Sequence, residues 1–160
     1  KVINDTLDNF KTTVTYGARN LKGETLWTET ITVEVGEKVF SKAVPTPSTD
    51  PNVYLFANYE VDGVQQTSLY SPIFWRGATF DSDYTVSVEK VSANEAKITV
   101  KANTFAKAVF ISFKDNYKYN FSDNYLNVEA GESVTITVTA KDGIDYDSMT
   151  VTDYAQMTKA

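Results

Sequence analysis

Three pairs of carboxylates stand close in sequence and could do general acid–base chemistry: Asp81 with Asp83, Glu129 with Glu132, and Asp145 with Asp147. Two carboxyls split a glycosidic bond when they flank it about 5–5.5 Å apart (retention) or about 6.5–9.5 Å apart (inversion). One of them must also be held protonated, which takes an apolar pocket. All three pairs lie in turn-like or linker-like sequence with hydrophilic neighbours, where solvated carboxylates are the ordinary outcome. No catalytic residue is assigned. Asp142, Asp145 and Asp147, in the run Asp142-Gly143-Ile144-Asp145-Tyr146-Asp147, offer oxygens of the kind a hard cation takes. They lack the twelve-residue spacing of an EF-hand loop, so an ordinary loop is the expectation.

The aromatics Tyr117, Tyr119, Phe121 and Tyr125 could form a platform on which a sugar stacks. Tyrosine has an apolar face and a polar tip, which suits that task. At strand spacing such residues more often fill a core or an interface. Trp27 and Trp75 are read as core or domain-packing residues. Asn4-Asp5-Thr6 and Asn120-Phe121-Ser122 match the N-glycosylation pattern, which matters only in a protein secreted by a eukaryote.

Composition removes whole classes of chemistry. The 160 residues contain no Cys and no His. That rules out disulfides, thiolate zinc sites, cysteine nucleophiles, Ser-His-Asp triads and histidine ligands. No cofactor is expected. Fifteen basic and 21 acidic residues leave a net charge of −6 and form no basic cluster. Nucleic-acid binding needs a cationic footprint and is not expected. No apolar run approaches the ~18 residues that span a bilayer, so no membrane partner is expected either. The chain opens Lys1-Val2-Ile3 without a signal-like segment. An excised fragment and a processed form both fit, and so do a bacterial cytoplasm and secretion.

The elements that position these residues are strands. Thr, Val, Tyr, Phe, Ile and Trp together supply 67 of 160 residues, against six Leu. β-Branched and aromatic residues favour sheets. Lys11 to Ala18 alternates, and Leu26 to Val35 puts Ile31, Val33 and Val35 on one face. A period of two marks a half-buried strand. Gly36-Glu37-Lys38 turns into Val39 to Val44, and the prolines of 45–51 make a loop. Val53, Leu55, Ala57, Tyr59 and Val61 share the next face. Asp62-Gly63 then predicts a type I′ hairpin turn, because both residues tolerate positive φ. The return strand runs from Val64 to Tyr70, and Ile73-Phe74-Trp75 is an apolar anchor.

The second half repeats the pattern. Tyr84, Val86 and Val88 alternate with polar residues, and Ser92-Ala93-Asn94-Glu95 turns the chain. Ile98 and Val100 face inward, and Ala108 to Phe113 is a central strand. Asp115-Asn116 is a turn, and Ser122-Asp123-Asn124 is a polar kink. Ala130-Gly131-Glu132 leads into Val134, Ile136 and Val138, and Met149, Val151 and Tyr154 make a last strand. Short, evenly spaced strands without an amphipathic helix predict antiparallel β-sandwiches. The chain divides into residues 1–78 and 79–160 across a short joint near Arg76 to Asp83. The first part looks like a sandwich missing an N-terminal strand.

Phe121-Ser122-Asp123-Asn124-Tyr125-Leu126-Asn127-Val128-Glu129-Ala130-Gly131-Glu132 and the alternating strand after it resemble the C-terminal Ig-like domain of β-mannosidases of glycoside hydrolase family 2. There an apolar strand (here Ala108 to Phe113) precedes an F-S-D-N-aromatic run and a P/A-G-E turn. Asn103-Thr104-Phe105-Ala106 also fits. Val2-Ile3-Asn4-Asp5-Thr6, Gly23-Glu24-Thr25-Leu26-Trp27 and Ser71-Pro72-Ile73-Phe74-Trp75 resemble, more weakly, the preceding Ig-like domain. The resemblance implies an all-β fold of two tandem Ig-like antiparallel sandwiches, the first truncated. It also implies a non-catalytic role, because in that family a TIM barrel upstream carries the nucleophile and acid/base glutamates of a retaining reaction. The expected partner is that barrel, along with a mannose-containing glycan. Phe121, Ser122, Asp123 and Asn124 carry over as a structural signature, with Asp123 and Asn124 tying backbone at a bend. Tyr117, Tyr119 and Tyr125 are the candidates for sugar or interface contact. The alternatives are a carbohydrate-binding module and a cell-surface adhesion domain.

Overall fold

The alternation of β-branched and polar residues is realised as antiparallel sheets. The computed structural model describes residues 9–35, 49–72 and 75–158. The chain divides into two compact units. Lys1–Asn20 with Glu24–Ala78 form one, and Leu21–Gly23 with Thr79–Ala160 form the other. The strand expected over Val39 to Val44, most of the proline loop, Val2-Ile3, Asn4-Asp5-Thr6 and Ile73-Phe74 lie outside the described residues.

The described part of the first unit is one four-stranded sheet. Its strands are β1 (Phe10–Asn20), β2 (Thr25–Val35), β3 (Val53–Val61) and β4 (Val64–Tyr70), in the order β2-β1-β3-β4. Asp62 and Gly63 both take positive φ, 51° and 78°, as a type I′ turn requires. Val14 and Val33 are buried on one face, with Phe10, Ile31, Ala57 and Tyr59 packed on them. The buried Thr12 hydroxyl donates to the Glu60 carbonyl at 2.9 Å. The opposite face of β3 is covered as well, which a one-face reading does not foresee. Tyr54 and Phe56 are buried there. Tyr54 meets Trp75 with ring centroids 6.3 Å apart, and the Arg19 guanidinium lies 3.8 Å over the Phe56 ring. Flat π-faces hold both a second ring and a cation, so β3 is buried on both sides near its start. Trp27 is half-buried and packs edge-on against Tyr16.

The second unit is a two-sheet sandwich. One sheet has the order β5-β6-β10-β8 and the other β11-β7-β9. The strands are β5 (Tyr84–Lys90), β6 (Glu95–Ala102), β7 (Ala106–Ser112), β8 (Tyr119–Phe121), β9 (Leu126–Val128), β10 (Ser133–Ala140) and β11 (Thr150–Thr152). Strict alternation in β6 and β10 sends Ile98, Val100, Ile136 and Val138 inward, each at most 1% exposed. Val109, Ile111, Leu126 and Val128 face them from the other sheet. Burying each such side chain contributes roughly 1.5–3 kcal/mol. The core therefore follows from the two-residue period. On the outer face, the hydroxyls of Thr99 and Thr135 pair at 2.7 Å.

Two expectations are corrected. Tyr154 opens a short helix, α1 (Tyr154–Thr158), instead of extending the last strand. Asp153 caps that helix, its Oδ1 accepting the Gln156 N–H at 2.7 Å. Asp with Gln three residues later is a capping pattern, which overrides the strand preference of Val151 and Thr152 one step downstream. Phe80 lies within the stretch read as a joint, but it is buried in the second unit. It packs edge-on against Tyr154 at 5.3 Å and beside Phe105 at 6.3 Å.

Both tryptophans belong to the first unit, so their fluorescence during urea unfolding follows that unit. A Cβ at Gly17 would stand 2.2 Å from the Trp27 carbonyl oxygen, whereas at Gly63 nothing lies within 4 Å. Gly17→Ala is expected to cost at least about 2 kcal/mol, because a backbone atom must move. Gly63→Ala is expected to cost about 1–2 kcal/mol from left-handed strain alone. Equal losses for the two variants would contradict the close approach of β1 and β2.

Candidate functional site

The signature segment lies where the chain leaves one sheet of the sandwich for the other. β8 pairs with β10 through Phe121 and Val138, and β9 pairs with β7 through Leu126 and Val109. Between them, residues 122–125 cross the edge of the sandwich. An open crossing would leave strand backbone unpaired, and buried N–H and C=O groups must find partners. Ser122 attaches the first end. Its N–H donates to the Thr137 carbonyl and its Oγ accepts the Thr137 N–H, both at 2.9 Å. Asn124 attaches the second end. Its Oδ1 accepts the Ile111 N–H at 2.9 Å, and its Nδ2 donates to the Ile111 carbonyl at 2.8 Å.

Extending the Val109–Leu126 register by two residues along each strand would set Ile111 opposite residue 124. The Asn124 carboxamide has the donor and acceptor of a peptide group. It therefore stands in for the main chain at that step, continuing the ladder after the backbone has turned away. The turn is tight. The same Oδ1 also accepts the Tyr125 N–H at 3.0 Å, and Asp123 Oδ1 accepts the Asn124 N–H at 2.7 Å. Tyr125 is held at φ 57°. Positive φ on a bulky residue is strained, and the two side-chain acceptors hold it there. A second irregularity faces this one. Ala108 sits at φ 50° where the β7–β9 register shifts, and its N–H donates to Asn127 Oδ1 at 3.1 Å.

The four aromatics do not share a platform. Tyr119 stacks on the buried Phe113 at 4.2 Å, Phe121 meets the same ring at 6.1 Å, and both pack on the core. Tyr125 instead stacks on Phe110 at 4.5 Å and stays 61% exposed. Tyr117 is 84% exposed with the Lys118 ammonium 5.8 Å from its ring. Strand alternation separates Phe110 from its neighbours Val109 and Ile111 on the core side. The tyrosine that follows the bend therefore ends on the outer face, whereas Tyr119 and Phe121 pack on the core. Asn120 is exposed on β8.

The acidic candidates are parts of loops. The Thr104 hydroxyl accepts the Asp83 N–H at 2.9 Å and donates to the Asp81 carbonyl at 2.7 Å, and Asp83 Oδ2 accepts from Asn103 Nδ2 at 3.0 Å. Asp81 and Asp83 are exposed and fasten the start of β5 to the β6–β7 turn. Glu129 is buried, Glu132 is exposed, and the Glu132 N–H donates to the Glu129 carbonyl at 3.0 Å. Asp142, Asp145 and Asp147 are all exposed, and no three acidic residues among those described gather as a metal cluster.

The residue that sequence reasoning missed is Asp153, 1% exposed. Its Oδ1 caps α1, and its Oδ2 is a buried oxygen with no hydrogen-bond partner among the described residues. Burial, with the Asp153 carboxylate nearby, raises the Tyr84 phenol above its usual range. Burial also lowers the Lys107 ammonium below its own. The Asp-x-x-Gln spacing was the available signal for the cap, but nothing local announces that the carboxylate is buried.

Comparisons with known proteins agree with this architecture. Residues 81–157 match Ig_mannosidase, a family of Ig-fold domains. The β-D-mannosidase from Dictyoglomus thermophilum is similar in structure over 95% of this chain, with a TM-score of 0.75 at 13% identity. The exo-chitosanase from Amycolatopsis orientalis is similar over 96%, with a TM-score of 0.57 at 15% identity. The chain spans only 19% of the first protein and 24% of the second. No curated protein sequence matches it.

Two outcomes are expected from the crossing and from Tyr84. Asn124→Ala leaves both Ile111 backbone groups unpaired in a strand whose side chain is fully buried. It should cost about 2–4 kcal/mol in urea unfolding, and a loss below about 1 kcal/mol would show that water replaces the carboxamide at no penalty. For Tyr84, the unfolded phenol loses its proton near pH 10, before the folded one does. Stability contributed by this group is therefore level below about pH 9 and falls as pH rises past 10. Thermal unfolding of the native chain and of Tyr84→Phe should keep a constant offset from pH 7 to 9. Above pH 10 the native chain should lose ground to the variant, and an unchanged offset at pH 11 would refute the shift.

Proposed function

We propose that this chain, of which residues 81–157 match the Ig_mannosidase family of Ig-fold domains, is the non-catalytic, C-terminal β-sandwich region of a family 2 glycoside hydrolase of the β-mannosidase type. The observation that carries the reading is that family match. It falls on the part of the chain built around the sheet-to-sheet crossing, Ser122 to Tyr125. The similarity of nearly the whole chain to a fifth of a β-D-mannosidase supports the same placement. In this reading the sandwich supports a catalytic barrel that cleaves terminal β-mannosidic bonds with retention, and the chain holds no reacting group itself. The exposure of Asp81, Asp83, Glu132, Asp142, Asp145 and Asp147 supports that, since a general acid needs an apolar pocket, and the buried Asp153 is engaged in capping α1.

The test uses both the chain and its parent polypeptide. The isolated 160 residues should release no nitrophenol from p-nitrophenyl β-D-mannopyranoside. The parent should release it, and should lose thermal stability and activity when residues 1–160 are deleted. Hydrolysis by the chain alone overturns the non-catalytic role. A parent without a barrel-length alternation of strands and helices overturns the enzyme assignment. A deletion that leaves melting temperature and activity unchanged overturns the supporting role.

A further inference from the structure

We propose that the polar face of the first unit's sheet is a binding face for an oligosaccharide. The register sets the face. Thr30, Thr15, Asn58 and Thr67 lie directly opposite one another across all four strands, a single row of hydroxyl and amide groups. Two residues along the strands, a second row begins with Thr32 beside Thr13 and ends with Glu60 beside Gln65. The rows are about 7 Å apart at the usual strand rise. A cavity of about 720 Å³ opens here, lined by Thr13, Thr15, Thr32, Asn58, Glu60 and Gln65 among others. That volume is in the ordinary range for small-molecule sites.

The lining selects the ligand class. Hydroxyls and carboxamides each donate and accept, which matches a ligand whose own hydroxyls do both. Among the described residues of the lining, Lys11 is the only cationic side chain, and Glu60 and Asp62 are acidic. Phosphates and nucleic acids, which need several cations, are disfavoured. An apolar ligand would strand the polar rows without partners. Part of the array is already oriented. The Thr15 and Thr30 hydroxyls pair at 3.0 Å, Thr67 donates to Asn58 Oδ1 at 3.0 Å, and Gln65 Nε2 donates to Glu60 Oε2 at 3.0 Å. Those bonds hold Asn58 with its Nδ2 turned to other use, and the hydroxyls of Thr13 and Thr32 have no side-chain partner among the described residues. Preorganised polar groups with unused capacity lower the ordering cost of binding.

The choice of mannose for the probe rests on the proposed function, but the face itself does not. Amide spectra of the full 160-residue chain are titrated with β-1,4-linked mannohexaose and, in parallel, with cellohexaose. Mannohexaose should shift the signals of Thr13, Thr15, Thr32 and Asn58 at millimolar concentration. The Thr13→Val, Thr15→Val, Thr32→Val triple variant keeps strand preference and shape, and should weaken binding at least tenfold. Asn58→Ala should weaken it independently, and serves if the triple variant does not fold. Cellohexaose binding at the same residues without mannohexaose binding keeps the face and counts against the mannosidase reading alone. The proposal is overturned if neither sugar shifts these residues, if shifts fall only within residues 117–125, or if the variants bind as the native chain does.

Discussion

A β-sandwich must move its chain from one sheet to the other without abandoning backbone hydrogen bonds inside a dry core. In the second unit that passage is made in four residues, and the Asn124 carboxamide makes it possible by holding both backbone groups of Ile111. Ile111 is fully buried near the end of β7, with β11 on its other side through Val151. If the carboxamide were absent, β7 would lose its partner just where β9 has yet to begin. The placement of Val109 and Leu126 opposite the Ile98 and Ile136 rows depends on that register. Ser122 does the corresponding work on β10, so one short polar segment joins the edges of both sheets.

The same constraint explains why Tyr125 points outward. The bend that frees the Asn124 side chain forces the next residue into left-handed backbone, and its ring comes down on Phe110 on the outer face. The polar side chains of this segment, Ser122, Asp123 and Asn124, are all engaged in backbone contacts. The first unit solves a different problem. Its sheet buries β3 near one end, with Tyr54 and Phe56 on one face and Val53 on the other, yet carries threonine and amide rows across its middle. That division of labour along one sheet leaves a polar concavity next to a packed aromatic cluster.

The sequence by itself determined the all-β class, the type I′ hairpin at Asp62-Gly63, and the alternation of β6 and β10. Each of these is a local matter of side-chain period or of which residues accept positive φ. It also carried the family resemblance, through a run of neighbouring residues. Tertiary structure decided the rest. Whether Tyr119 and Tyr125 share a surface depends on which sheet each end of the crossing joins, and no spacing encodes that. The Asp153 cap was written as Asp-x-x-Gln, but its burial arises because distant Phe80 and Phe105 pack about α1 and its neighbours. The polar rows of the first unit needed the cross-strand register, which brings Thr30, Thr15, Asn58 and Thr67 together from four separate strands. Long-range register sets such sites because a strand's side chains meet only those of the strands that pair with it.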